Sequence, residues 1–456
     1  MIKNVYTPND YKDMPTDSKM IQAAVDEAAK YGASVVIPRL NERTGELIWR
    51  LDETIKLYTG SDVLLDNCHI RLEDGTYIRF FENSSADDDC EWWMSHTRQK
   101  NIKLVARGNT LLDGGNHNGL FEHCFNIYDE NGKFLKKIDY LGFKAAAVNV
   151  GVRFRNVEGL EVSGLKFVNQ RYWAMCFEYC SSLHVHDIVF DAESNVPNQD
   201  GIDIRVGCHN VLIENVSGKS GDDMVALTNF GAKGVKLGES DMDSDIHDVI
   251  VRGIRSFETS RCDMLRILNR GGYKIYNVSI SDVIDLTPVG CEKRPLAGIR
   301  IGDLNDYPAR LNEPGETRNI TVHNVITRAR FGVYVANSLV DSCFENVMMV
   351  GDGGIGMYFN GCITKNVFVN KLMYSSDATP PASDIGYKHV HHRVNIDHLS
   401  AVIFNNSTAE NVCFDNVVAA EGLDYAFSSN TDIALSASKV YRRGDTALHS
   451  PLVKLI

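Results

Sequence analysis

A short alternation of apolar and polar residues recurs along the middle of the chain. Six copies begin at residues 160, 183, 211, 249, 278 and 320, and they read LEVSGLKFVN, LHVHDIVFDA, VLIENVSGKS, VIVRGIRSFE, VSISDVIDLT and ITVHNVITRA. Each copy is an alternating run, a polar or glycine corner and a second run, and strict alternation indicates strands rather than helices. The copies begin 23 to 42 residues apart. The shorter intervals are typical of one coil of a β-solenoid, and the longer ones predict inserted loops.

A second set of short strands lies between these copies. Its members read MCFEY, GIDIRV, MVALTN, MLRILN, GIRIGD, GVYVAN and GMYFNG. Each coil therefore offers at least two strands that can stack on the same strands of its neighbours. A doubly wound sheet would need a helix between successive parallel strands, and no helical pattern separates these. The pattern predicts an all-β fold, a right-handed parallel β-helix.

The two ends of the chain differ from the repeat. Residues 17–31, DSKMIQAAVDEAAKY, form the one strongly amphipathic helix, with Asp17 or Ser18 as the expected N-cap. Because a solenoid must cover its open end, we interpret this helix as a cap without a catalytic role, and GASVVIP as the first strand. Coils are predicted over about 33–420, and residues 421–456, where the repeat is lost, as a closing segment. No linker or low-complexity tract interrupts the 456 residues, so a single domain is expected.

The charge balance argues against a nucleic-acid partner. The chain carries 47 Lys and Arg against 60 Asp and Glu, a formal net charge of −13, whereas nucleic-acid binding needs a basic surface. One stretch is locally basic. It either lines a groove or consists of solvated strand edges that discourage aggregation, and its members are Arg252, Arg255, Arg261, Arg266 and Arg270.

Cysteine usage and the N-terminus bear on the compartment. The first residues, MIKNVYTPNDYKDMPTD, lack the apolar core of a signal peptide, and no apolar run is long enough to span a membrane. The 11 cysteines are scattered without C-x-x-C spacing, and several lie in apolar strand-like segments. We therefore expect a cytoplasmic protein without a membrane partner.

Three aspartates stand at the interval of one coil. Asp200 lies in NQDGIDI, and the adjacent pair Asp222 and Asp223 lies in GDDMVAL, with Asp222 following Asp200 at an interval of 22 positions. Residues one coil apart stack at about 4.8 Å, so the three carboxylates are expected to converge, with Gly221 allowing the backbone to bend. Crowded carboxylates raise the pKa of at least one, which can then act as a general acid while its neighbours activate water. For one aspartate alone, a turn-capping role is the more common one.

These motifs resemble the polygalacturonase family of glycoside hydrolases. NQDGIDI and GDDMVAL are similar to the N-T-D and G/Q-D-D motifs of that family, and the likeness extends over about residues 18–370, through DEAAKYGASVVIPRL, LLDNCHIRLEDG, LLDGGN and FVNQRYWAMCFEYC. The resemblance implies a right-handed β-helix and inverting hydrolysis. It also implies that Asp222 is the general acid and that Asp200 and Asp223 hold the attacking water.

The sequence departs from the family at two motifs. Where the family has G-H-G, the chain reads SRCDMLRIL, with Cys262 and Asp263 in place of the histidine. Where the family has R-I-K, a motif that grips a substrate carboxylate, the chain reads GIRIGD, which keeps Arg300 but has Gly302 in place of the lysine. A lost cation weakens charge-assisted contacts to a uronic acid. The expected substrate is therefore an α-linked saccharide that need not be pectin, and Asp263 is either a fourth acid of the site or a turn residue.

Further residues are candidates for binding the saccharide. Trp173, with Tyr172, lies one coil before Asp200, and Arg205 and Lys219 flank the same coils, although both can equally be solvated. The candidate binding residues are thus Arg300, Asp263, Arg266, Arg205, Lys219 and Trp173. Trp92 and Trp93 lie in an inserted loop and fit sugar stacking or loop packing equally well. A histidine-rich tract is more typical of a surface than of a zinc site, and it contains His389, His391, His392 and His398. No metal and no cofactor are predicted.

The sequence therefore predicts a glycoside hydrolase that cleaves α-linked bonds of a poly- or oligosaccharide, galacturonide-like or related, by single displacement. Long intervals between copies suggest loops that close the groove and favour action at a chain end. Two alternatives stay open: a polysaccharide lyase or glycan-rearranging transferase on the same fold, and a non-catalytic glycan-binding β-helix. Oligomerisation also stays open.

Overall fold

The computed structural model describes residues 3–85, 98–116, 126–128, 134–137, 149–192, 198–230, 244–259, 262–291, 293–303, 312–380 and 398–456. These fall into two compact units. Unit 1 comprises residues 1–222 with 234–243, and unit 2 comprises residues 223–233 with 244–456. Each unit is described by itself below.

Unit 1 contains the helices and the first eighteen strands. They are the 3-10 helix η1 (Pro8–Tyr11), the α-helix α1 (Asp17–Tyr31) and β1 (Val5–Tyr6), β2 (Ser34–Ile37), β3 (Ile48–Leu51), β4 (Ile55–Leu57), β5 (Asp62–Asp66), β6 (His69–Leu72), β7 (Phe81–Asn83), β8 (Gln99–Arg107), β9 (Leu111–Asp113), β10 (Asn126–Tyr128), β11 (Phe134–Lys137), β12 (Val152–Arg155), β13 (Val157–Ser163), β14 (Lys166–Val168), β15 (Met175–Glu178), β16 (Ser181–Asp191), β17 (Ile202–Ile204) and β18 (His209–Ser220). All of these strands except the antiparallel pair β10–β11 stack in parallel.

The copies of the sequence repeat stack in register within unit 1. Leu160 of β13 pairs with Leu183 of β16, and Leu183 pairs with Val211 of β18, so the first residues of three copies form one ladder. These three side chains are buried, as the alternation predicts. Phe154 and Phe177 form a neighbouring internal ladder, with parallel rings 6.2 Å apart. Stacking of like apolar residues from coil to coil thus forms the core of the unit.

Helix α1 occupies the residues that the sequence predicts, Asp17–Tyr31. Its apolar face packs on the first coil, where Met20, Ile21 and Ala24 are fully buried. The prediction of Asp17 or Ser18 as the N-cap is wrong, because the Thr16 hydroxyl accepts the hydrogen bond from the Lys19 amide. The strand of GASVVIP is also preceded by β1, whose Val5 pairs with Ser34.

The described residues of unit 2 contain fourteen strands. They are β19 (Val225–Asn229), β20 (Ile246–Thr259), β21 (Leu265–Asn269), β22 (Ile275–Asp285), β23 (Ala297–Ile301), β24 (Thr317–Thr327), β25 (Phe331–Met349), β26 (Ile355–Tyr374), β27 (Ser400–Asn405), β28 (Thr408–Ala419), β29 (Tyr425–Ser429), β30 (Ile433–Arg442), β31 (Ala447–His449) and β32 (Val453–Leu455). Val249, Val278 and Ile320, the first residues of the other three copies, again form one buried ladder.

The polar corners of the repeat are positions of left-handed backbone. Asp282, Asn324 and Asn346 all have φ between 55° and 58°. Their side chains also stack, since the Asn324 amide donates to Asp282 at 3.1 Å and the Asn346 amide donates to Asn324 at 2.9 Å. Asparagine and aspartate tolerate this conformation better than other residues with a side chain, which explains their place between the two runs of each copy.

The repeat continues to the end of the chain. β28 pairs in parallel with β30, and β30 pairs with β32, where Ile433 lies opposite Val453. The expectation that the repeat is lost after about residue 420 is therefore wrong. The alternation in residues 421–456 is less apolar, and β30 carries exposed polar residues that hide the pattern in the sequence.

Each unit has the stacked parallel strands of the right-handed parallel β-helix that the alternation predicts, and α1 is the one α-helix among the described residues. Among the described residues, no helix has the length and apolar character needed to cross a membrane.

Candidate active site

Asp200 lies on unit 1, two residues before β17, in a tightly bonded turn. Its carbonyl oxygen accepts from the Ala174 amide and from the Gln170 side chain, each at 2.9 Å. The Gln199 side chain in turn donates to the Gln170 carbonyl at 2.6 Å. The Asp200 carboxylate is buried, at 7% exposure. The backbone that carries it is thus held by two glutamines that the alternating pattern does not single out.

Asp222 follows β18 and contacts the turn that carries Asp200. Its carboxylate Oδ2 accepts from the Asn198 amide at 3.2 Å, and its own amide donates to the Gln199 carbonyl at 3.3 Å. Gly221, which begins a bend, donates to the same carbonyl at 3.0 Å. Residues 198–200 and 221–222 therefore lie on neighbouring coils, at the spacing that the sequence interval predicts. Asp222 is half-buried, whereas Asp200 is buried.

Trp173, the aromatic candidate of unit 1, contacts an aromatic ring and an arginine. The rings of Trp173 and Tyr172 lie 4.9 Å apart, and the Arg205 guanidinium carbon lies 4.8 Å from the Trp173 ring centre. Arg205 also lies 3.7 Å from the Asp203 carboxylate. Trp173 is half-buried and thus keeps part of its ring available, a geometry suited to stacking on a sugar face. Lys219 is half-buried on β18, in register with Asp191 of β16.

Five charged side chains of unit 2 form a buried network, which we call the Arg266 cluster. Its members are Asp223, Asp263, Arg266, Arg300 and Asp303. Arg266 lies 3.3 Å from Asp223 and 2.8 Å from Asp303. Arg300 lies 3.5 Å from Asp263 and 3.0 Å from Asp303. Each arginine thus contacts two carboxylates, and Asp303 contacts both arginines.

Strand stacking positions the two arginines. Arg266 of β21 pairs in register with Arg300 of β23, and Arg300 pairs with Tyr334 of β25. The Arg300 guanidinium lies 5.2 Å from the Tyr334 ring centre, and the Tyr334 hydroxyl accepts from Asn360 at 3.0 Å. Burial and the charge of Arg266 lower the pKa of Arg300, but Asp263 and Asp303 outweigh them, so its net direction is upward. For Tyr334, in contrast, burial raises the pKa of the hydroxyl.

Asp263 is a structural member of this cluster rather than an exposed turn residue. Its amide donates to the Asp223 carboxylate at 3.0 Å, and its own carboxylate accepts from the Ala297 amide at 3.1 Å. Cys262, beside it, is half-buried. Asp263 therefore holds the Asp223 carboxylate through its backbone amide.

Sequence reasoning missed Asp303, the residue that both arginines contact. It follows Gly302 directly, just beyond β23, and a turn dipeptide at the end of a strand is too common a pattern to indicate a site. Gly302 itself explains the missing lysine. Its φ is +80°, and a Cβ there would lie 2.0 Å from the Ala336 carbonyl oxygen. No side chain fits at this position without a shift of the backbone.

The basic stretch does not act as one groove among the described residues. Arg252 and Arg255 are exposed on β20, whereas Arg266 belongs to the buried cluster and Arg270 lies 5.6 Å from the Phe230 ring centre. Arg261 lies outside the described residues, as do Trp92, Trp93, His389, His391 and His392. His398 is exposed, 3.9 Å from the Asp424 carboxylate.

Comparison with known proteins places these residues in a family context. Residues 54–243 match the family model described as glycosyl hydrolases family 28, and this range includes Asp200, Asp222 and Asp223. A comparison with curated proteins found no match. The sequence resemblance to polygalacturonase-like glycoside hydrolases is thus confirmed over that range.

Solved structures are similar to the chain at low sequence identity. The endo-xylogalacturonan hydrolase of Aspergillus tubingensis is 12% identical, covers 98% of each chain and has a TM-score of 0.50. A mutant tailspike protein of E. coli bacteriophage HK620, in complex with a pentasaccharide, is 12% identical over 99% of this chain and 80% of its own, with a TM-score of 0.53. The family 28 exopolygalacturonase of Yersinia enterocolitica is 14% identical over 99% of this chain and 78% of its own, with a TM-score of 0.46. The first two matches show the fold.

Proposed function

We propose that this protein hydrolyses α-linked glycosidic bonds of a poly- or oligosaccharide by inverting single displacement. The observation that carries the proposal is the contact of Asp222 with the turn of Asp200. The carboxylate of half-buried Asp222 accepts from the Asn198 amide at 3.2 Å, and Asn198 lies two residues before buried Asp200. All three residues lie inside the range that matches the family 28 model. A half-buried and a buried aspartate on neighbouring coils offer two environments, which an acid and a base require.

In the proposed step Asp222 is the general acid. Its proton passes to the glycosidic oxygen as the bond between that oxygen and the anomeric carbon breaks. Asp200 accepts a proton from the water whose oxygen forms the new bond to the anomeric carbon on the opposite face. An inverting enzyme holds its two carboxyl groups about 6.5–9.5 Å apart to leave room for this water. The product is a new reducing end of inverted configuration.

Asp223, the next residue of the chain, is the second holder of the water in this proposal, as the family motif implies. Its contact with Arg266, at 3.3 Å, supports the role, because a neighbouring guanidinium stabilises the carboxylate form that a base requires. A lysine or arginine acting as a base, as in the lyase alternative, is less well supported, since each arginine of this cluster contacts two carboxylates.

Trp173 is the proposed stacking platform for a sugar ring near Asp200. It is half-buried, and its neighbour Arg205 lies over the ring at 4.8 Å. Arg205 and Lys219 are proposed to contact sugar hydroxyls at the edges of the same path. Action at a chain end also belongs to the proposal, because the longest intervals between repeat copies leave room for inserted loops.

A cytoplasmic location is part of the proposal as well. Nine of the cysteines lie in the described residues, and all nine are free thiols. Free thiols at that number are typical of a reducing compartment. Imported oligosaccharides would then be the natural substrates.

The test compares the wild type with Asp222→Asn on a panel of acidic and neutral α-linked oligosaccharides. The wild type is expected to release new reducing ends, and the variant to lose activity by a factor of roughly 10²–10⁴, the usual contribution of a general acid. Asp191→Asn, which removes an exposed carboxylate of the same unit, serves as the control and is expected to retain activity.

Proton NMR of the first product distinguishes the mechanisms. An α-linked substrate should first yield the β-anomer. A first-formed α-anomer would contradict the inverting mechanism, and an unsaturated sugar would establish the lyase alternative. Binding without turnover by the wild type would establish the non-catalytic alternative.

A further inference from the structure

One row of outward-facing side chains in unit 2 is apolar over six consecutive coils. Its members pair in register from each strand to the next, from β22 through β24, β25, β26 and β28 to β30. We call this row the Met348 stripe, and it consists of Ile284, Ile326, Met348, Met373, Val418 and Tyr441. Because neighbouring strands lie about 4.8 Å apart, the stripe is about 24 Å long.

The alternation along each strand shows that the stripe faces away from the core. Each of its first five members stands between two buried residues of its own strand, as Met348 stands between Val347 and Met349. These five side chains are half-buried, and Tyr441 is 61% exposed. At the opposite end, Leu286 follows the first stripe residue by two positions and is 44% exposed. The apolar surface therefore continues to both ends of the row.

A second outward-facing row on the same six strands is polar. It passes from strand to strand in the same way and consists of Ser281, His323, Glu345, Asn370, Asp415 and Ser438. Its first five members are half-buried and its last is exposed, as in the Met348 stripe. Polar residues are expected on a sheet face that contacts water. The apolar character of the stripe is therefore a property of that row and not of the strands that carry it.

The corner residues beside the stripe change in charge from one end to the other. Each corner residue lies two positions before its stripe member, and the charged ones are Asp282 on the first coil, Lys371 on the fourth and Lys439 on the sixth. All three are exposed, and the other three corners are asparagines. Lys439 lies 3.4 Å from Asp415 in an exposed pair. One edge of the stripe is therefore negative at its first coil and positive at its last.

These charges are complementary to a second copy of the same surface that runs in the opposite direction. A two-fold axis that crosses the stripe between Met348 and Met373 places the first coil of each copy opposite the sixth coil of the other. Asp282 then faces Lys439 of the second copy, and symmetry forms this contact twice. A parallel alignment would instead place like charges opposite each other.

From this arrangement we propose that the Met348 stripe is the interface between two copies of this chain in an antiparallel dimer. Stable interfaces bury about 800 Å² on each partner, with an apolar core inside a polar rim. The stripe, about 24 Å long, supplies the core, and the charged corners supply the rim. The dimer does not depend on the proposed hydrolysis and goes beyond it.

Sedimentation velocity over a range of protein concentrations tests the dimer. The wild type is expected to sediment as a dimer that dissociates on dilution. Met348→Glu places an unpaired charge in the apolar core, so the Kd of the dimer should rise at least about hundredfold. Asn370→Asp, which adds a negative charge to the polar row of a neighbouring strand, is the control and should leave the Kd unchanged.

A wild type that is monomeric at every concentration would overturn the proposal and show that a different partner, or none, covers the stripe. Dimerisation of folded Met348→Glu with the wild-type Kd would place the interface elsewhere and also overturn it. Thermal unfolding followed by circular dichroism establishes that the variant is folded.

A charge exchange at the exposed corners tests the antiparallel arrangement without altering the apolar core. Lys439→Asp places an acid opposite Asp282, which should raise the Kd about tenfold. Adding Asp282→Lys restores opposite charges and should return the Kd close to the wild-type value. The backbone tolerates both changes, since aspartate and lysine both occupy left-handed corners of this unit.

The exchange separates the contact between copies from the contact within one chain. The pair of Lys439 with Asp415 is lost in the single and in the double variant alike. Recovery of the Kd in the double variant therefore reports on the contact between Asp282 and residue 439 of the second copy. A Kd that stays raised in the double variant would overturn the antiparallel dimer.

Discussion

At the residue scale, Gly302 and Asp303 determine the space and the ion pairs at the end of β23. Asp303 joins Arg266 and Arg300, and Gly302 excludes a side chain where the related family carries a lysine. A one-residue change from the family motif thus coincides with a carboxylate that neutralises the remaining arginine. In this cluster three carboxylates contact two guanidinium groups.

Gly302→Ala should lower the free energy of unfolding more than Gly290→Ala does. Both glycines are left-handed, with φ of +80° and +77°, so each alanine costs roughly 1–2 kcal/mol of backbone strain. Only at Gly302 does the new Cβ meet a carbonyl oxygen, at 2.0 Å; at Gly290 nothing lies within 4 Å. Urea unfolding of the two variants measures the difference, and equal losses would contradict the close approach.

At the element scale, the strands are tied together by stacked residues and by a few polar side chains. Asp113, at the end of β9, accepts from His69 of β6 at 3.1 Å and from Asn169, just beyond β14, at 3.0 Å. It also accepts from the Gly115 amide at 2.9 Å. One carboxylate therefore links three consecutive coils of unit 1.

The hydrogen bonds of the Asp113 carboxylate predict that the free energy of unfolding depends on pH. Burial raises the pKa of Asp113, but the bonds from His69, Asn169 and Gly115 and the charge of Arg71 outweigh it, and the net pKa lies well below its usual range. Since the unfolded value is about 3.9, the contribution is complete above that pH and is lost as the pH falls below it. Between pH 5 and pH 2 the free energy of unfolding should therefore fall more steeply with decreasing pH in the wild type than in Asp113→Asn.

The control for this series is Asp191→Asn, which removes an exposed carboxylate of the same unit. Its pH dependence should follow that of the wild type. Parallel curves for wild type and Asp113→Asn would show that the carboxylate gains no stabilisation on folding.

At the scale of the whole molecule, the thiols report on how the described coils are packed. Of the nine cysteines that the structure describes, five are buried: Cys68, Cys176, Cys180, Cys208 and Cys362. Burial raises the pKa of Cys68 and of Cys362 to about 12. A thiol must ionise to react, so these groups behave as small apolar side chains of the core.

Alkylation with iodoacetamide at pH 8, read by mass spectrometry, tests this packing. In the native protein the five buried thiols should react far more slowly than half-buried Cys262, Cys291, Cys343 and Cys413. In denaturant without a reductant all 11 cysteines should be labelled. A smaller number would reveal a disulfide and would argue against the reducing compartment.

The alternation of residue types determined much of this fold without any coordinates. Within each unit the repeat copies stack on their first residues, as Leu160, Leu183 and Val211 do in unit 1, because a one-residue shift would turn every apolar side chain outward. The extent of α1 likewise follows from its apolar face. The pattern was insufficient near the C-terminus, where β30 is mostly polar yet still pairs with β28.

In the candidate site, too, the sequence determined some features and the tertiary structure determined others. The 22-residue interval between Asp200 and Asp222 identified one coil from the sequence alone, since coil length sets which residues become neighbours. Only the tertiary structure could show that Asp303 contacts both arginines and that Gly302 faces a carbonyl oxygen. Both facts depend on side-chain direction and on distances between neighbouring coils, and neither quantity has a signature in the order of the residues.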